Sequence, residues 1–253
     1  MSLHGKQSVI LAITIIASLL LIGETKLSAE WVFDLEGGAV FNGYNDVRIP
    51  NETGTEISLV EDLSAESRFF FRGRLSYVIA DRHTISVFAA PLRINAEGRV
   101  DQQVVFEDSS FEAGSPLKAV YRFDSYRVTY RYRLYDRPDL KIGLGFTAKL
   151  RDAAISLQSG DKFEEKTNTG FVPLINFMLD WSFSDRLGLL LEGDALAAPQ
   201  GRAEDLLLAL RYDLTGRVAL KTGYRILEGG ADVDEVYNFA LLHYLSAGVI
   251  ISF

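Results

Sequence analysis

The last nine residues of the chain, 245–253 (LSAGVIISF), decide its fold because they place an apolar side chain at every second position. Counting back from the final residue, one face carries Phe253, Ile251, Val249, Ala247, Leu245, His243, Leu241 and Phe239. The other face carries Ser252, Gly248, Ser246 and Tyr244. Because successive side chains of a β-strand point to opposite faces, this pattern predicts a strand with one apolar face at the very end of the chain.

The N-terminal segment predicts export. Lys6 precedes an uninterrupted apolar run over residues 9–22, and small residues follow at Ser28 and Ala29. The run is shorter than the roughly 20 residues of a membrane-spanning helix and is typical of a secretory signal peptide. We therefore predict a signal peptide at residues 1–29 and one mature domain at residues 30–253, with 24 basic and 33 acidic residues.

The same period-two alternation recurs along the mature chain and predicts ten strands. They cover residues 30–43, 67–80, 83–92, 118–134, 140–157, 169–183, 187–197, 204–214 and 217–227, and a tenth that ends at Phe253. Short links at 81–82, 135–139, 184–186 and 215–216 alternate with long links at 44–66, 95–117, 158–168, 198–203 and 228–237. Short turns on one side and long loops on the other are typical of membrane barrels.

The terminal strand, the signal peptide and the loop alternation together resemble the broad class of small bacterial outer-membrane β-barrel proteins, with no particular family indicated within it. The resemblance implies an all-β fold: an antiparallel transmembrane barrel of ten strands, with eight or twelve as alternatives, in a Gram-negative-type outer membrane. It also implies contact with membrane lipid and lipopolysaccharide, and recognition of Phe253 by the barrel assembly machinery. A soluble barrel would alternate too, but continuous apolar rows and unequal loops favour lipid outside.

With the apolar rows facing lipid, the charged residues of the strands must face the lumen. The predicted lumen residues are Asp34, Glu36, Arg68, Arg72, Arg74, Arg127, Arg131, Arg133, Lys141, Lys149, Arg151, Asp180, Glu192, Asp194, Asp205, Arg211, Asp213, Arg217, Lys221 and Arg225. Basic and acidic strands adjoin one another. This favours a paired network that fills the lumen, and the alternative is a wet, charge-lined path.

We expect no catalytic, cofactor-binding or metal-binding residues. The chain has no cysteine, and its acidic balance argues against nucleic-acid binding. His83 is predicted in a periplasmic turn, and His243 is predicted to face lipid with Ser246 on the opposite face, which disfavours a lipid A deacylase site. Asp232 and Asp234 resemble half of an omptin protease site, but no Asp-x-His sequence is predicted on the outer side to supply the other half.

The predicted long loops are acidic and are expected to be solvated. The acids are Asp46, Glu52, Glu56, Glu61, Asp62 and Glu66 in the first loop, and Glu228, Asp232, Asp234 and Glu235 in the last. Such carboxylates could bind divalent cations. The sequence thus favours a non-catalytic barrel with an envelope structural or surface-interaction role. A narrow porin-like channel for small solutes is the alternative, and an outer-membrane enzyme, lipid A-modifying or omptin-like, is a lesser one.

Overall fold

The computed structural model of the protein describes residues 29–253, which form fourteen β-strands. These are β1 (Ala29–Arg48), β2 (Ile57–Ser58), β3 (Arg68–Ile79), β4 (His83–Ala90), β5 (Arg93–Arg99), β6 (Val104–Phe106), β7 (Ser109–Phe111), β8 (Pro116–Asp136), β9 (Leu140–Ser159), β10 (Lys162–Ser182), β11 (Leu187–Ala198), β12 (Gly201–Asp213), β13 (Val218–Val233) and β14 (Val236–Ser252). No helix within residues 29–253 is long and apolar enough to cross a membrane. The predicted signal peptide, residues 1–29, lies outside the described residues except for Ala29.

Pairing of the last strand with the first closes the sheet into an antiparallel barrel. β14 and β1 pair from Val32 opposite Ser252 to Arg48 opposite Tyr237, with one shift of register on the way. At the end of this seam the backbone N–H of Phe253 donates to the carbonyl of Trp31, and the N–H of Trp31 donates back, each over 2.9 Å. The terminal strand is therefore the closing strand of the barrel.

The barrel contains ten strands, as the sequence predicts, rather than eight or twelve. In order around the barrel they are β1, β3, β4, β8, β9, β10, β11, β12, β13 and β14, all antiparallel to their neighbours. β4 and β5 both pair with β8 and form one barrel strand that is interrupted at Pro91 and Leu92. Proline cannot donate to a β-ladder, which accounts for an interruption at this point.

Three of the predicted long loops are wrong in detail, because strands continue through them. β9 and β10 are joined only by residues 160–161, β11 and β12 by 199–200, and β13 and β14 by 234–235. These strands could not be recognised from apolar alternation because their sequences are polar. A hairpin that extends beyond the membrane needs no apolar face. The opposite end of the barrel has the short turns that were predicted and carries both ends of the described chain, so we assign it to the periplasm.

The two remaining outer loops fold into a cap with an apolar core, which the sequence analysis does not predict. The acids Glu52, Glu56, Glu61, Asp62 and Glu66 of the first loop are exposed on its surface, as predicted. Residues 49–67 and 100–115 cover the outer end of the lumen, and backbone bonds such as Thr55 N–H to Val105 O, 2.9 Å, join them. Inward-facing residues of the upper strands complete the core. The cap core includes Val47, Ile49, Ile57, Leu59, Leu63, Ile94, Val104, Phe106, Phe111, Leu117, Leu157 and Leu242, all buried.

A β-bulge in β1 directs part of this core inward. The register of β1 against β14 shifts between Asn42 and Tyr44, so the buried positions change from Val40 to Asn45 and Val47. An extra residue in one strand reverses which side chains face inward beyond it. The alternation of inward and outward side chains that was counted back from Phe253 therefore does not apply to β1 beyond the bulge.

The outer surface of the barrel carries a belt of exposed apolar side chains. Its members include Trp31, Leu35, Phe69, Phe71, Ile85, Val87, Tyr126, Val128, Phe146, Phe171, Ile175, Trp181, Leu208, Leu210, Leu220, Tyr224, Leu245 and Phe253. Monomeric soluble proteins rarely expose continuous apolar surface of this extent. A closed barrel has no unpaired strand edge, so it can present such a surface to lipid.

Candidate functional site

A network of buried ion pairs crosses the lumen, and Asp205 of β12 lies at its centre. Both carboxylate oxygens of Asp205 accept hydrogen bonds from the guanidinium group of Arg72 on β3. Arg127 of β8 donates to Asp205 over 2.5 Å, and Arg225 of β13 donates over 2.6 Å. All four side chains are almost fully buried. One carboxylate is therefore shared by three arginines from three other strands.

Glu36 of β1 and Asp194 of β11 extend the network to both sides. Arg225 binds Glu36 with two parallel hydrogen bonds of 2.8 Å, and Lys221 lies 3.2 Å from the same carboxylate. On the other side, Arg127 donates to Asp194 over 2.7 Å. Bidentate arginine–carboxylate pairs have fixed geometry as well as favourable energy. The network thus fixes the relative positions of strands on opposite walls.

Neutral side chains connect the remaining strands to this network. Thr147 of β9 and Asn176 of β10 donate to Asp194 over 2.6 and 2.8 Å. The ring of Phe88 on β4 lies 5.0 Å from the guanidinium carbon of Arg72, and the Tyr244 ring on β14 lies 5.7 Å from it, distances typical of cation–π contacts. All ten barrel strands contribute a side chain to this network.

A second group of charges, more exposed to solvent, lies on the periplasmic side of the network. Arg74 donates to Glu192 over 2.8 Å, and Arg131 lies 3.9 Å from the same carboxylate. Other pairs join Lys221 to Asp34 at 2.8 Å, Arg211 to Asp180 and Asp213, and Arg133 to Asp136. Lys141 is half-buried beside them.

Two of the predicted lumen residues do not enter the lumen. Arg68 lies at the outer end of β3, is exposed and pairs with Glu66 at 3.2 Å. Arg217 lies in the periplasmic turn before β13 and is also exposed. Both have the correct alternation phase but lie beyond the enclosed part of the barrel. Phase alone does not give the height of a residue along the barrel.

Two cavities lie above and below the central network. The periplasmic cavity has a volume of about 1020 Å³ and is lined by charged residues that include Asp34, Arg131 and Arg211. The outer cavity has a volume of about 390 Å³ and lies against β8 to β14, with Asp194 and Asp205 in its lining. Its walls are mainly apolar. The buried network residues lie between the two spaces and close the lumen.

Lys149 and Arg151 face the lumen but, like Lys141 on the same strand, form no ion pair with the network. Both line the outer cavity and follow each other on the inward face of β9. Lys149 is buried, and its Nζ atom lies 4.7 Å from the centre of the Phe123 ring. Arg151 donates to the side-chain oxygen of Asn168. Neither cation lies in an ion pair with any carboxylate in residues 29–253.

Within residues 29–253, five of the ten predicted acidic loop residues form side-chain hydrogen bonds or ion pairs: Glu56, Asp62, Glu66, Glu228 and Asp232. Glu228 accepts hydrogen bonds from Arg202 over 2.7 and 2.8 Å and one from the Tyr44 hydroxyl. Burial and this bond to Glu228 raise the pKa of Tyr44, while the Glu228 contacts raise the pKa of Arg202. Within the described part of the chain, no group of three histidine, aspartate or glutamate residues is arranged to hold a metal ion.

Both histidines of the described chain lie on the outer surface of the barrel. His83 Nδ1 lies 2.9 Å from the Tyr130 hydroxyl, and His243 Nδ1 lies 2.5 Å from the Tyr224 hydroxyl. His243 and Ser246 point to opposite sides of β14, as predicted. One Asp-x-His sequence occurs, at residues 81–83, but it lies at the periplasmic end, far from Asp232 and Asp234.

Comparison with known proteins shows similarity at the level of fold. No protein-family model matches the chain, and no curated protein matches it significantly. Among solved structures, the outer membrane protease OmpT from Escherichia coli aligns with a TM-score of 0.56 at 10% identity, over 91% of this chain and 100% of that one. The chain is a β-barrel of the outer-membrane type.

Other outer-membrane barrels align over similar lengths. The transport unit of the autotransporter AIDA-I from Escherichia coli has a TM-score of 0.44 at 8% identity, over 96% of each chain. Neisserial surface protein A has a TM-score of 0.33 at 15% identity, over 89% of this chain and 99% of that one.

Several residues of the site were not predicted. Phe88 and Tyr244 lie out of phase with the apolar rows of their strands, and this position on the polar face was the available signal. Thr147 and Asn176 are also on polar faces, but neutral residues there do not by themselves indicate a network. The apolar cap was missed because its hydrophobic residues are spread through segments that also contain many acids.

Proposed function

We propose that the protein is a non-conducting, non-catalytic barrel in the outer membrane of a Gram-negative-type bacterium, where it stabilises the envelope or presents its outer surface to partners. The observation that carries this proposal is the network around Asp205, to which all ten strands contribute beneath an apolar cap. Ion transport would require several buried, mutually bonded side chains to separate. Such a separation leaves uncompensated buried charge, which is strongly unfavourable.

A narrow porin-like channel is the second candidate, and the periplasmic cavity of about 1020 Å³ favours it. This space reaches Glu192 and Arg131 near the middle of the barrel. A modest rearrangement of Arg72 and Arg127 would have to connect it with the outer cavity. Of the predicted lumen residues, eleven basic and seven acidic ones are buried or half-buried. A channel with this excess of positive charge would conduct anions in preference to cations.

Planar-bilayer recording of the refolded protein tests the proposal. We expect no discrete conductance steps, with a known porin in the same preparation as the positive control. Heat-modifiable migration on gels confirms that the protein inserted into the bilayer is folded. Discrete steps in the wild type would refute the non-conducting proposal, and the variant R131E should then change ion selectivity because Arg131 lines the periplasmic cavity.

The location of the histidines supports the absence of catalysis. His83 and His243 face outward and contact only tyrosine hydroxyls among the hydrogen-bond partners found for them, so neither can serve as a general base at either cavity. We expect no hydrolysis of lipid A or of a peptide library by the folded protein. OmpT assayed in the same detergent is the positive control for peptide hydrolysis, and hydrolysis above that of a protein-free blank would contradict the proposal.

Membrane lipid and lipopolysaccharide are the partners that we propose for the apolar belt, and the assembly machinery is the partner proposed for Phe253. The Phe253 side chain is exposed at the periplasmic end of the closing seam, where a receptor could contact it. Replacement of Phe253 by serine should reduce the amount of folded protein in the membrane, while F183S, also exposed at that end, should not. Equal loss in both variants would remove the proposed role.

A further inference from the structure

The outer cavity has the features of a ligand site. Its volume of about 390 Å³ lies within the range of roughly 300–1000 Å³ that is typical of small-molecule pockets. Apolar side chains form most of its walls, and charged side chains that include Lys149 and Arg151 also line it. The apolar lining includes Ile49, Phe123, Ile155, Leu174, Leu196 and Leu227.

Lys149 is the most deeply buried cation that lines this cavity. Only 4% of the residue is exposed, yet its ammonium group has no hydrogen bond or ion pair to any other described residue. Two buried acids of the lining, Asp194 and Asp205, are bonded to Arg72, Arg127 and Arg225, and none of the lining acids lies in an ion pair with Lys149. Its Nζ atom lies 4.7 Å from the centre of the Phe123 ring, but this contact does not replace a carboxylate or a hydrogen-bond acceptor. Burial of an ammonium group without such a partner is unfavourable, which indicates that Lys149 has a role other than stability.

Arg151 provides a second set of donors on the same wall. Its guanidinium group donates to Asn168, but its Nε–H is buried without a hydrogen-bond partner in the described chain. Lys149 and Arg151 are two residues apart on β9, and both line the cavity. Two cations with unused donors on one wall form a recognition site for an anionic head group.

We propose that the outer cavity binds an anionic amphiphile with a single apolar chain. Its head group would accept hydrogen bonds from Lys149 and Arg151, and its chain would contact the apolar walls. The lining also contains Asp194, Asp205 and Glu228, which are paired with arginines, and Glu204 and Glu235. This assignment therefore rests on the two cations that are unpaired in the described chain, and not on a net positive charge. A simple inorganic anion would leave the apolar walls unfilled, and a neutral lipid would leave both cations unpaired.

Calorimetric titration of the refolded full chain in maltoside micelles tests the proposal, with decanoate as the probe and decanol and phosphate as comparisons. We expect decanoate to bind at least tenfold more tightly than either. The variant K149M should weaken decanoate binding at least tenfold and leave decanol unchanged. K141M is the matched control, because Lys141 lies on the same face of β9 but lines the periplasmic cavity, and it should bind like the wild type.

The alternatives give distinct results. Equal affinity for decanoate and decanol would overturn the role of the cations, and equal affinity for phosphate and decanoate would overturn the role of the apolar walls. An unchanged K149M would also overturn the proposal, provided that heat-modifiable migration shows it to be folded. R151Q serves as a second variant with the same expected direction. Bilayer conductance is independent of these measurements, so this proposal and the non-conducting function can fail separately.

Discussion

Replacement of Asp205 by asparagine should strongly destabilise the barrel. The substitution keeps the shape of the side chain but removes the charge that Arg72, Arg127 and Arg225 share. Loss of one partner of a buried ion pair costs about 3–5 kcal/mol, because the other charge remains buried without compensation. Here three guanidinium groups lose a common partner in a lumen that is already rich in positive charge, so we expect a loss of at least about 3 kcal/mol.

The assay is reversible urea unfolding of the protein in lipid vesicles, followed by tryptophan fluorescence of Trp31 and Trp181 at the barrel surface. D213N is the matched control on the same strand. Asp213 is half-exposed at the periplasmic end and pairs with Arg211 at 3.1 Å, so its removal should cost only about 0–1 kcal/mol.

A double-mutant cycle with Arg127 tests whether the cost comes from the network. R127Q removes one of the charges that D205N leaves uncompensated, so the double variant should lose less stability than the sum of the two single variants. Coupling of about 0.5–3 kcal/mol is expected for residues in one such network. A D205N loss no greater than that of D213N, or strictly additive effects, would refute the view that this network holds the walls together.

Three further predictions concern the cap, the closing seam and the lipid belt. Phe106→Ala should loosen the cap, where this ring is fully buried, and limited proteolysis should then cut within residues 100–115 while the barrel stays heat-modifiable. Gly38→Ala should reduce the folded fraction on gels, because a Cβ there would overlap a carbonyl oxygen of β14, whereas Gly216→Ala meets nothing and should fold normally. Leu208→Arg should lower the free energy of unfolding in vesicles by about 2–4 kcal/mol, whereas Leu214→Arg, near the interface, should lower it by only about 0–1 kcal/mol. Equal losses would contradict the lipid-facing assignment.

The number of barrel strands and the side of each strand that meets lipid could be predicted from the sequence. The reason is physical: lipid on one side and an enclosed lumen on the other impose a strict period of two on every spanning strand. The phase counted from Phe253 holds wherever this constraint acts. It fails in β1 beyond Gly43, where the strand has left the membrane and a bulge reverses its faces.

The structure above the membrane could not be predicted in the same way. The segment 162–169 is an exposed part of a hairpin with polar residues on both faces, so its composition resembles that of a loop. The cap depends on contacts between residues far apart in sequence, such as Thr55 with Val105. The sequence likewise could not predict which charges pair with each other. Alternation shows that Arg72 and Asp205 face inward, but it does not show that they meet across the lumen.

The charges that close the lumen differ in role from Lys149, which does not help to close it. A ten-stranded barrel is wider than the eight-stranded barrels that side chains just fill, so short side chains would leave a space along its axis. Long arginine side chains that meet carboxylates from the opposite wall close the middle of the barrel, and the folded loops close its outer end. Lys149 contributes to neither closure: it lies above the network, below the cap and beside an apolar cavity. Filling the barrel does not require a charge at that position, and we therefore assign its role to a ligand.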